Sequence, residues 1–385
     1  MPIYKMDGKK DGLQKYRVRI NYTDSTGKNK QIDRVAYGKE EAKELERKLN
    51  LNLKEETAPT RTFKELYDEY MEMHSHEVRE STMNAIRGRI KLYVIPEFGQ
   101  HRIDKINIRM LQKWKNDMEK RYTTKKKENV PLSLNTKQHT YTDFNSIFEY
   151  AIKMEYLQKN PMKNLGNFRD AYSGKKEMDF YTFDEFKKFI KAAYDCAIQS
   201  ERETNSIYEW NFYIFFMIAF YAGLRKGEIY ALRWTDVTDG KINITKSITQ
   251  KLKGDDRETP PKNKRSIRTV QIPAPLQKAL DTHYDRYKDI NGFSDSWHIC
   301  GGEKSIRDTT LQKRSARYAA EANVKNIRIH DFRHSHASLL VNNGINIQEI
   351  ARRLGHTNIE VTWNTYAHLY PQEEERAIQV LNKFV

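Results

Sequence analysis

Four stretches in the second half of this sequence carry residue types that can do chemistry. YAGLRKGEIYALRW holds Arg225 and Glu228, whose three-residue spacing in a predicted helix puts both on one face. The polar run TPPKNKRSIRTVQIP reads as hairpin-like and holds Lys262, Lys264, Arg265 and Arg268. IRIHDFRHSHASLL gives His330 and Arg333 the same three-residue spacing. ARRLGHTNIEVTWNTYAHL then supplies His356 after Gly355, followed by Tyr366.

A phosphodiester needs what this set offers. Two guanidinium groups clamp non-bridging oxygens bidentately and stay charged at any physiological pH. They stabilise the charge that a pentacoordinate transition state gains. Imidazoles donate hydrogen bonds or move protons near neutrality. A lysine can protonate a departing oxygen, and a tyrosine can attack to form a covalent intermediate. A phosphotyrosine linkage keeps the energy of the broken bond, so rejoining needs no ATP.

Each element also has a plain explanation. Arg225 and Glu228 alone would be an intrahelical surface ion pair. His330, His334 and His336 resemble a metal cluster, but HDFRH lacks the Glu of HExxH and sets Arg333 among the supposed ligands, which disfavours a dication. Gly301–Ser305 (GGEKS) lacks phosphate-loop spacing and reads as a turn. Tyr366 alone would be one tyrosine among 23, so the order and combination of the four stretches decide the case.

These residues need a scaffold and a partner. A length of 385 residues suggests two or three domains, and 23 Tyr and 16 Phe can fill their cores, which excludes a disordered basic chain. The formal net charge of +16 suits a folded protein that handles a polyanion. A membrane surface is the rival partner. No apolar run approaches bilayer-spanning length, and the start, MPIYKMDGKKDG, has no signal-peptide core. Cys196 and Cys300, the only cysteines, make neither a disulfide framework nor a four-thiolate zinc site, so a reducing cytoplasm is the expected setting.

Three parts are expected along the chain. In residues 1–55, Tyr16, Val18, Ile20 and Tyr22 alternate with Arg17, Arg19 and Asn21, the pattern of a half-buried strand. The turn Asp24–Gly27, a second strand near Gln31–Tyr37 and a helix with Ala42, Leu45 and Leu49 on one face follow. The result is a small sheet under a helix, with Arg17 and Arg19 on its polar face, suited to a DNA major groove. After a linker, Glu56–Arg61, residues 62–165 read as helical. This part opens with the capping-box pair Thr62 and Glu65 and has periodic segments near Phe63–His74, Ser81–Val94, Met110–Lys120 and Thr136–Met154. Pro96 and Gly99 are expected to break the second segment from the third. Arg87, Arg89 and Lys91 add charge to the second, and Lys125–Lys127 falls in an expected loop. A further linker spans Gly166–Lys175, and residues 175–385 form the last part, with a capping box at Thr182 and Glu185.

On these residues the sequence resembles the tyrosine recombinase (phage integrase) family, through GLRKGE, HDFRHSHAS and LGHTNIEVTWNTYAHL. Arg225, Lys262, His330, Arg333, His356 and Tyr366 fall on the family's positions in order. The resemblance implies a multidomain, mainly α protein. It would have a small N-terminal three-stranded β-sheet plus helix for arm-type DNA, a helical core-binding domain, and a mostly α catalytic domain with a small β-sheet. The first part is similar to integrases of conjugative transposons and related phages of Gram-positive bacteria. Arg225, Arg333, His330 and His356 are then expected to activate the scissile phosphate, Lys262 to act as general acid, Tyr366 to form a 3′-phosphotyrosine, and Glu228 to support the site. Lys264 is the alternative acid, because hairpin register cannot be read from sequence. Tyr370 is a rival nucleophile that misfits the spacing from His356. Candidates for DNA contact are Arg17, Arg19, Arg87, Arg89, Lys91, Lys264 and Arg265.

The family implies a homo-tetramer on paired DNA duplexes, exchange through a Holliday junction, separate core and arm sites, and no cofactor, metal or membrane. An excision factor and a DNA-bending protein are possible partners. A short terminal helix with Ala377, Val380, Leu381 and Phe384 on one face is expected to pack either on its own domain or, as the family implies, on a neighbouring protomer. Two rival readings are a non-catalytic DNA-binding regulator and a type IB topoisomerase. The intact residue set argues against the first, and the basic N-terminal sheet against the second.

Overall fold

The computed structural model describes residues 3–23, 29–57, 61–125, 128–169, 178–250, 256–259 and 267–367, together with 378, 381 and 382. Contacts divide the chain into two compact units, Met1–Ser173 and Gly174–Val385. Both are mainly helical with small antiparallel sheets, the fold class that the sequence predicts. No helix among the described residues is long and apolar enough to cross a membrane.

The first unit opens with β1 (Ile3–Lys10), β2 (Leu13–Thr23) and β3 (Asn29–Tyr37), hydrogen-bonded in that order, and α1 (Lys39–Thr57). Alternation in β2 sorts its side chains: Val18 and Ile20 are buried with Ala36 and Ala42, which leaves Arg17 and Arg19 to the opposite face. A two-residue Asp11-Gly12 turn with both φ positive joins β1 to β2, so the signal for β1 was a turn dipeptide rather than an alternating strand. α1 continues through Thr57, two residues into the expected linker.

The rest of this unit is helical: α2 (Phe63–His74), α3 (Glu80–Tyr93), the single turn α4 (Ile95–Phe98), α5 (Ile108–Glu119) and α6 (Leu134–Lys153). Thr62 and Glu65 form the expected reciprocal cap. Pro96 lies in the first turn of α4, where a missing N–H costs nothing, so the expected break is a short helix of its own. The core is aromatic, with Phe63, Trp114 and Phe98 packed around Phe144. A hairpin of β4 (Tyr122–Lys125) and β5 (Glu128–Pro131) corrects the expected loop at Lys125 alone. Lys125 ends a strand, and Lys126 and Lys127 lie outside the described residues.

The second unit is built on α7 (Phe183–Thr204), capped by Thr182 and Glu185, and α8 (Trp210–Tyr221). α8 is apolar all round and buried, and it packs against α7, α10 (Ala274–Lys288) and α12 (Asp331–Asn342). α9 (Lys226–Ala231), α11 (Asp308–Glu321), α13 (Ile347–Leu354) and α14 (Ile359–Tyr366) complete the helices named here. One sheet has β6 (Val237–Thr238), β7 (Lys241–Ile244) and β10 (Arg268–Gln271) in the order β10-β7-β6. A separate hairpin pairs β8 (Ser247–Thr249) with β9 (Arg257–Thr259).

This pairing corrects the hairpin-like reading of Thr259–Pro273. Thr259 ends β9, which pairs with β8, whereas Arg268 opens β10, which pairs with β7. The two ends of the run therefore belong to different sheets. Gly301–Ser305 forms turns rather than a phosphate loop.

Candidate active site

The site is assembled at the ends of helices, where backbone groups lack intrahelical partners. Asp331 starts α12: its carboxylate accepts from the Arg328 backbone N–H and is held by the Arg328 guanidinium. That fixes the first turn of α12, with His330 at its N-cap and Arg333 and His334 one turn inside. Arg333 is 2% exposed and donates to the Gly223 carbonyl at 2.8 Å and the Leu354 carbonyl at 2.5 Å. Gly223 has φ +65°, and a Cβ there would lie 2.4 Å from His336 Cδ2. Only glycine lets that carbonyl reach Arg333.

Arg225 is the N-cap of α9 rather than a residue within a helix, which corrects the shared-helix expectation although the pair still meets. Glu228 accepts the Arg225 backbone N–H at 2.8 Å and its Nη1 at 2.9 Å. The same carboxylate takes two bonds from Arg268, at 3.0 Å and 2.9 Å. Burial opposes ionisation of Glu228, but the Arg268 hydrogen bonds and the Arg268, Arg225 and Arg333 charges outweigh it and hold the carboxyl down at about 2.

These arginines converge on one helix end. α13 closes with Gly355 at φ +65° and the paired bonds His356 N–H to Ala351 O and Gly355 N–H to Arg352 O, a Schellman turn. Its last carbonyls are each taken by a guanidinium: Arg353 O by Arg268, Leu354 O by Arg333 and Gly355 O by Arg225. The negative end of the helix dipole thus gathers three cations and fixes where His356 leaves the helix. His356 Nδ1 lies 2.7 Å from Thr362 Oγ1 of α14, and Thr362 is fully buried.

α14 delivers Tyr366 into an apolar nest of Ala337, Val341, Ile350 and Leu354. Tyr366 is 1% exposed, and its hydroxyl lies 2.6 Å from His334 Nδ1. Burial lifts its pKa well above the ordinary tyrosine range. The His334 ring also packs edge to face with that of His330, their centres 5.0 Å apart.

Two guanidinium groups, Arg225 and Arg268, pair with one carboxylate, and Arg333 adds a third charge nearby, an excess of two positive charges that a dianionic phosphorane or a phosphodiester would complement. Arg225 keeps 36% of its side chain exposed, so one of these cations is open to a ligand. Burial and the neighbouring arginines push His356 down to about 3. Burial, with His330 next to it, pushes His334 down to about 4, and His330 is lowered by burial and Arg333. Burial and the Arg225 charge bring Arg333 down to about 9, still charged at neutral pH.

Of the expected site residues, Arg225, Glu228, Arg333, His330, His356 and Tyr366 come together in this way. Lys262, Lys264 and Arg265 lie outside the described residues, as do Tyr370, Ala377, Val380 and Phe384; Leu381 is described and exposed. Of the three histidines of HDFRHSH, His336 parts from the other two. His336 Nδ1 is 2.7 Å from the Phe220 carbonyl in the core, and His334 turns to Tyr366. Among the described residues no group of three or more His, Cys, Asp or Glu is arranged to hold a metal ion.

Arg268 and His334 are the members that sequence reasoning missed. Both stood inside motifs already noted, but only the fold says which way they turn. The remote basic candidates differ among themselves. Arg19 pairs across the strands with Asp33, Arg89 is half-buried against Asp143, Arg87 bonds Asn84, and Lys91 is exposed.

Comparison with known proteins agrees with this geometry. A model of the "Phage integrase family" matches residues 180–373, and one of "Phage integrase, N-terminal SAM-like domain" matches residues 62–118. The ICEBs1 integrase of Bacillus subtilis is 28% identical over 97% of this chain and 97% of its own length. A prophage ps2 probable integrase of Lactococcus lactis is 23% identical over 88% of each. In fold, the chain is similar to the Tn1549 transposon integrase, solved with a circular intermediate DNA (TM-score 0.65, 18% identity, 84% of this chain and 99% of that one). It is also similar to lambda integrase, solved as a tetramer on a Holliday junction (TM-score 0.56, 14% identity, 97% and 95%). With the matched model spanning half of the sequence and the arginine-lined helix end and buried tyrosine inside it, the chain belongs to the phage integrase family, the tyrosine recombinases.

Proposed function

We propose that this enzyme cuts and rejoins DNA at specific sites through Tyr366, and so integrates and excises a mobile element. One observation carries the reading: three guanidinium groups gather on the end of α13, two of them paired with a single carboxylate, beside a buried tyrosine. Arg225 and Arg333 clamp the scissile phosphate, and His330 and His356 donate hydrogen bonds to its oxygens as charge grows. A bound phosphate restores the missing negative charge, which raises both imidazoles towards the protonated form. Tyr366 Oη attacks phosphorus, the bond to the 5′ oxygen breaks, and a 3′-phosphotyrosine remains. Lys262 gives the leaving oxygen its proton, with Lys264 the alternative donor. Glu228 keeps Arg225 and Arg268 in place and takes no part in bond making.

Residues 1–55, 62–165 and 175–385 are proposed as arm-binding, core-binding and catalytic parts. The partner is double-stranded DNA, with core sites at the element's ends and separate arm sites. Exchange proceeds in a homo-tetramer through a Holliday junction, aided by an excision factor and a DNA-bending protein. The terminal helix packs on a neighbouring protomer. Full-length similarity to the ICEBs1 integrase supports a conjugative element in a bacterial cytoplasm.

Covalent capture tests the reading. The protein is incubated, without added metal, with labelled DNA from the ends of its own element, nicked so that cleavage cannot reverse. The expected result is a protein–DNA adduct that vanishes in Tyr366→Phe. An adduct that persists in that variant moves the nucleophile elsewhere, Tyr370 first. Tight binding with no adduct on verified sites makes the chain a DNA-binding regulator, and relaxation of plasmids that lack a site makes it a topoisomerase.

A further inference from the structure

We propose that His334 Nδ1 takes the proton from the Tyr366 hydroxyl as that oxygen attacks, and returns it when the strand is rejoined. This rests on the reading of Tyr366 as the nucleophile. The contact is 2.6 Å and joins two helices, α12 and α14, at residues 32 positions apart.

Tyr366 has little choice of proton acceptor. It is 1% exposed, so bulk water does not reach its hydroxyl. Apolar side chains from α12 and α13 line its other sides. Burial makes the phenol harder to ionise than in water, so attack requires a partner that takes the proton in the same step.

His334 is built to be that partner. It follows Arg333 directly, so a group that grips a phosphate and a group that accepts a proton share one helical turn. Its position is fixed because Ser335 bonds back to the Asp331 carbonyl while Asp331 holds the start of the helix. The ring is wedged between His330, edge to face at 5.0 Å, and Tyr366 at 5.7 Å. The groups facing it are His330, Asp331, Arg333 and Arg328 from its own end of α12, Tyr366 from α14 and His356 from the loop before α14. Burial and His330 keep the imidazole neutral at rest, which leaves a ring nitrogen able to accept. A phosphodiester arriving between the arginines adds negative charge nearby and makes the imidazole a stronger base at the moment of attack.

The step balances. The bond from Tyr366 Oη to phosphorus forms, the bond from phosphorus to the 5′ oxygen breaks, the phenol proton moves to His334 Nδ1, and the 5′ oxygen receives its proton from the separate acid, Lys262 or Lys264. Rejoining runs the same transfers backwards.

The test uses the full chain and nicked element-end DNA, in ordinary form and with sulfur in place of the bridging 5′ oxygen. Sulfur leaves without a proton, so the second substrate bypasses the general acid but still needs the tyrosine deprotonated. His334→Asn keeps an acceptor near the Nδ1 position that does not bind a proton, and His334→Ala removes it. Both variants are expected to bind DNA as the wild type does. Their adduct formation should slow by roughly 10²- to 10⁴-fold, the usual share of a general base. The loss should persist on the sulfur substrate and shrink as pH rises. Lys262→Ala, by contrast, should recover on that substrate. Wild-type rates in His334→Asn across the pH profile would overturn the proposal and leave a positioning role alone, and so would rescue by sulfur. If the alanine variant melts early, the asparagine variant decides. A failure of the nucleophile assignment shows separately, as an adduct that survives Tyr366→Phe.

Discussion

Arg268 and Glu228 meet in a two-point ion pair, each with 6% of its side chain exposed, between the start of α9 and the start of β10. The pair ties a strand to a helix and, through Arg268 Nε on the Arg353 carbonyl, to the end of α13 as well. Removing one partner of an isolated buried pair costs about 3–5 kcal/mol. Without Arg268, Glu228 keeps only the half-exposed Arg225 and the Arg353 carbonyl loses its donor, so a loss at or below the lower end of that range is expected. Arg268→Ala should therefore lower the denaturant midpoint of the second unit's transition and abolish adduct formation. Arg268→Lys should recover little, because an ammonium cannot reproduce the fork. An unchanged midpoint in Arg268→Ala would show that the pair is dispensable.

Glycine substitutions give a contrast within one molecule. Gly223→Ala puts a Cβ 2.4 Å from His336 Cδ2 at φ +65° and disturbs the carbonyl that holds Arg333. A loss of roughly 2 kcal/mol or more and a severe fall in cleavage are expected. Gly88, in the exposed face of α3, has nothing within 4 Å of its Cβ position. Gly88→Ala should stabilise the first unit by up to about 1 kcal/mol. Thermal melting of the two variants, with opposite signs, checks both.

Acid should unfold the second unit early. His283 and His336 are buried and held neutral, chiefly by desolvation, with both pushed down to about 3. The unfolded chain binds these protons near the ordinary histidine value, so stability is complete above that value and falls as pH drops towards 3. Each group contributes on the order of 3 kcal/mol of loss by about pH 4. Glu228, held at about 2, adds a second loss below the ordinary carboxylate range. Unfolding free energies measured from neutral pH downward should show this slope, and His283→Gln should flatten it. A slope unaltered by that change would remove His283 from the account.

The basic residues of α3 should split into two classes. Arg89 is paired with Asp143 at 2.6 Å across to α6, so Arg89→Ala should destabilise the first unit. Arg87 and Lys91 are exposed, and replacing them with Ala should leave melting unchanged. If they touch phosphates, the salt slope of DNA affinity should drop by about one for each. Binding isotherms at several salt concentrations, read beside melting curves, separate the two roles.

Much of this was legible before any coordinates. The capping pairs Thr62–Glu65 and Thr182–Glu185 are local, set by three-residue spacing, and both formed. Alternation in β2 named Val18 and Ile20 as core, and they are. Strand pairing was the weak point. Nothing in TPPKNKRSIRTVQIP says that Arg268 pairs through β7 while Thr259 pairs through β8, because partners are chosen by distant residues.

The sequence by itself determined the residue types that can activate a phosphodiester, their order, and the local signals that start helices beside them. Those depend on side-chain chemistry and near-neighbour spacing, which survive in one dimension. Only the tertiary structure decided that three arginines share one helix end, that Glu228 answers to Arg268 as well as Arg225, and that His334 rather than another group meets Tyr366. Those contacts join residues 21 to 130 positions apart. Packing of apolar helix faces brings them together, and that packing leaves no local mark at the charged residues it aligns.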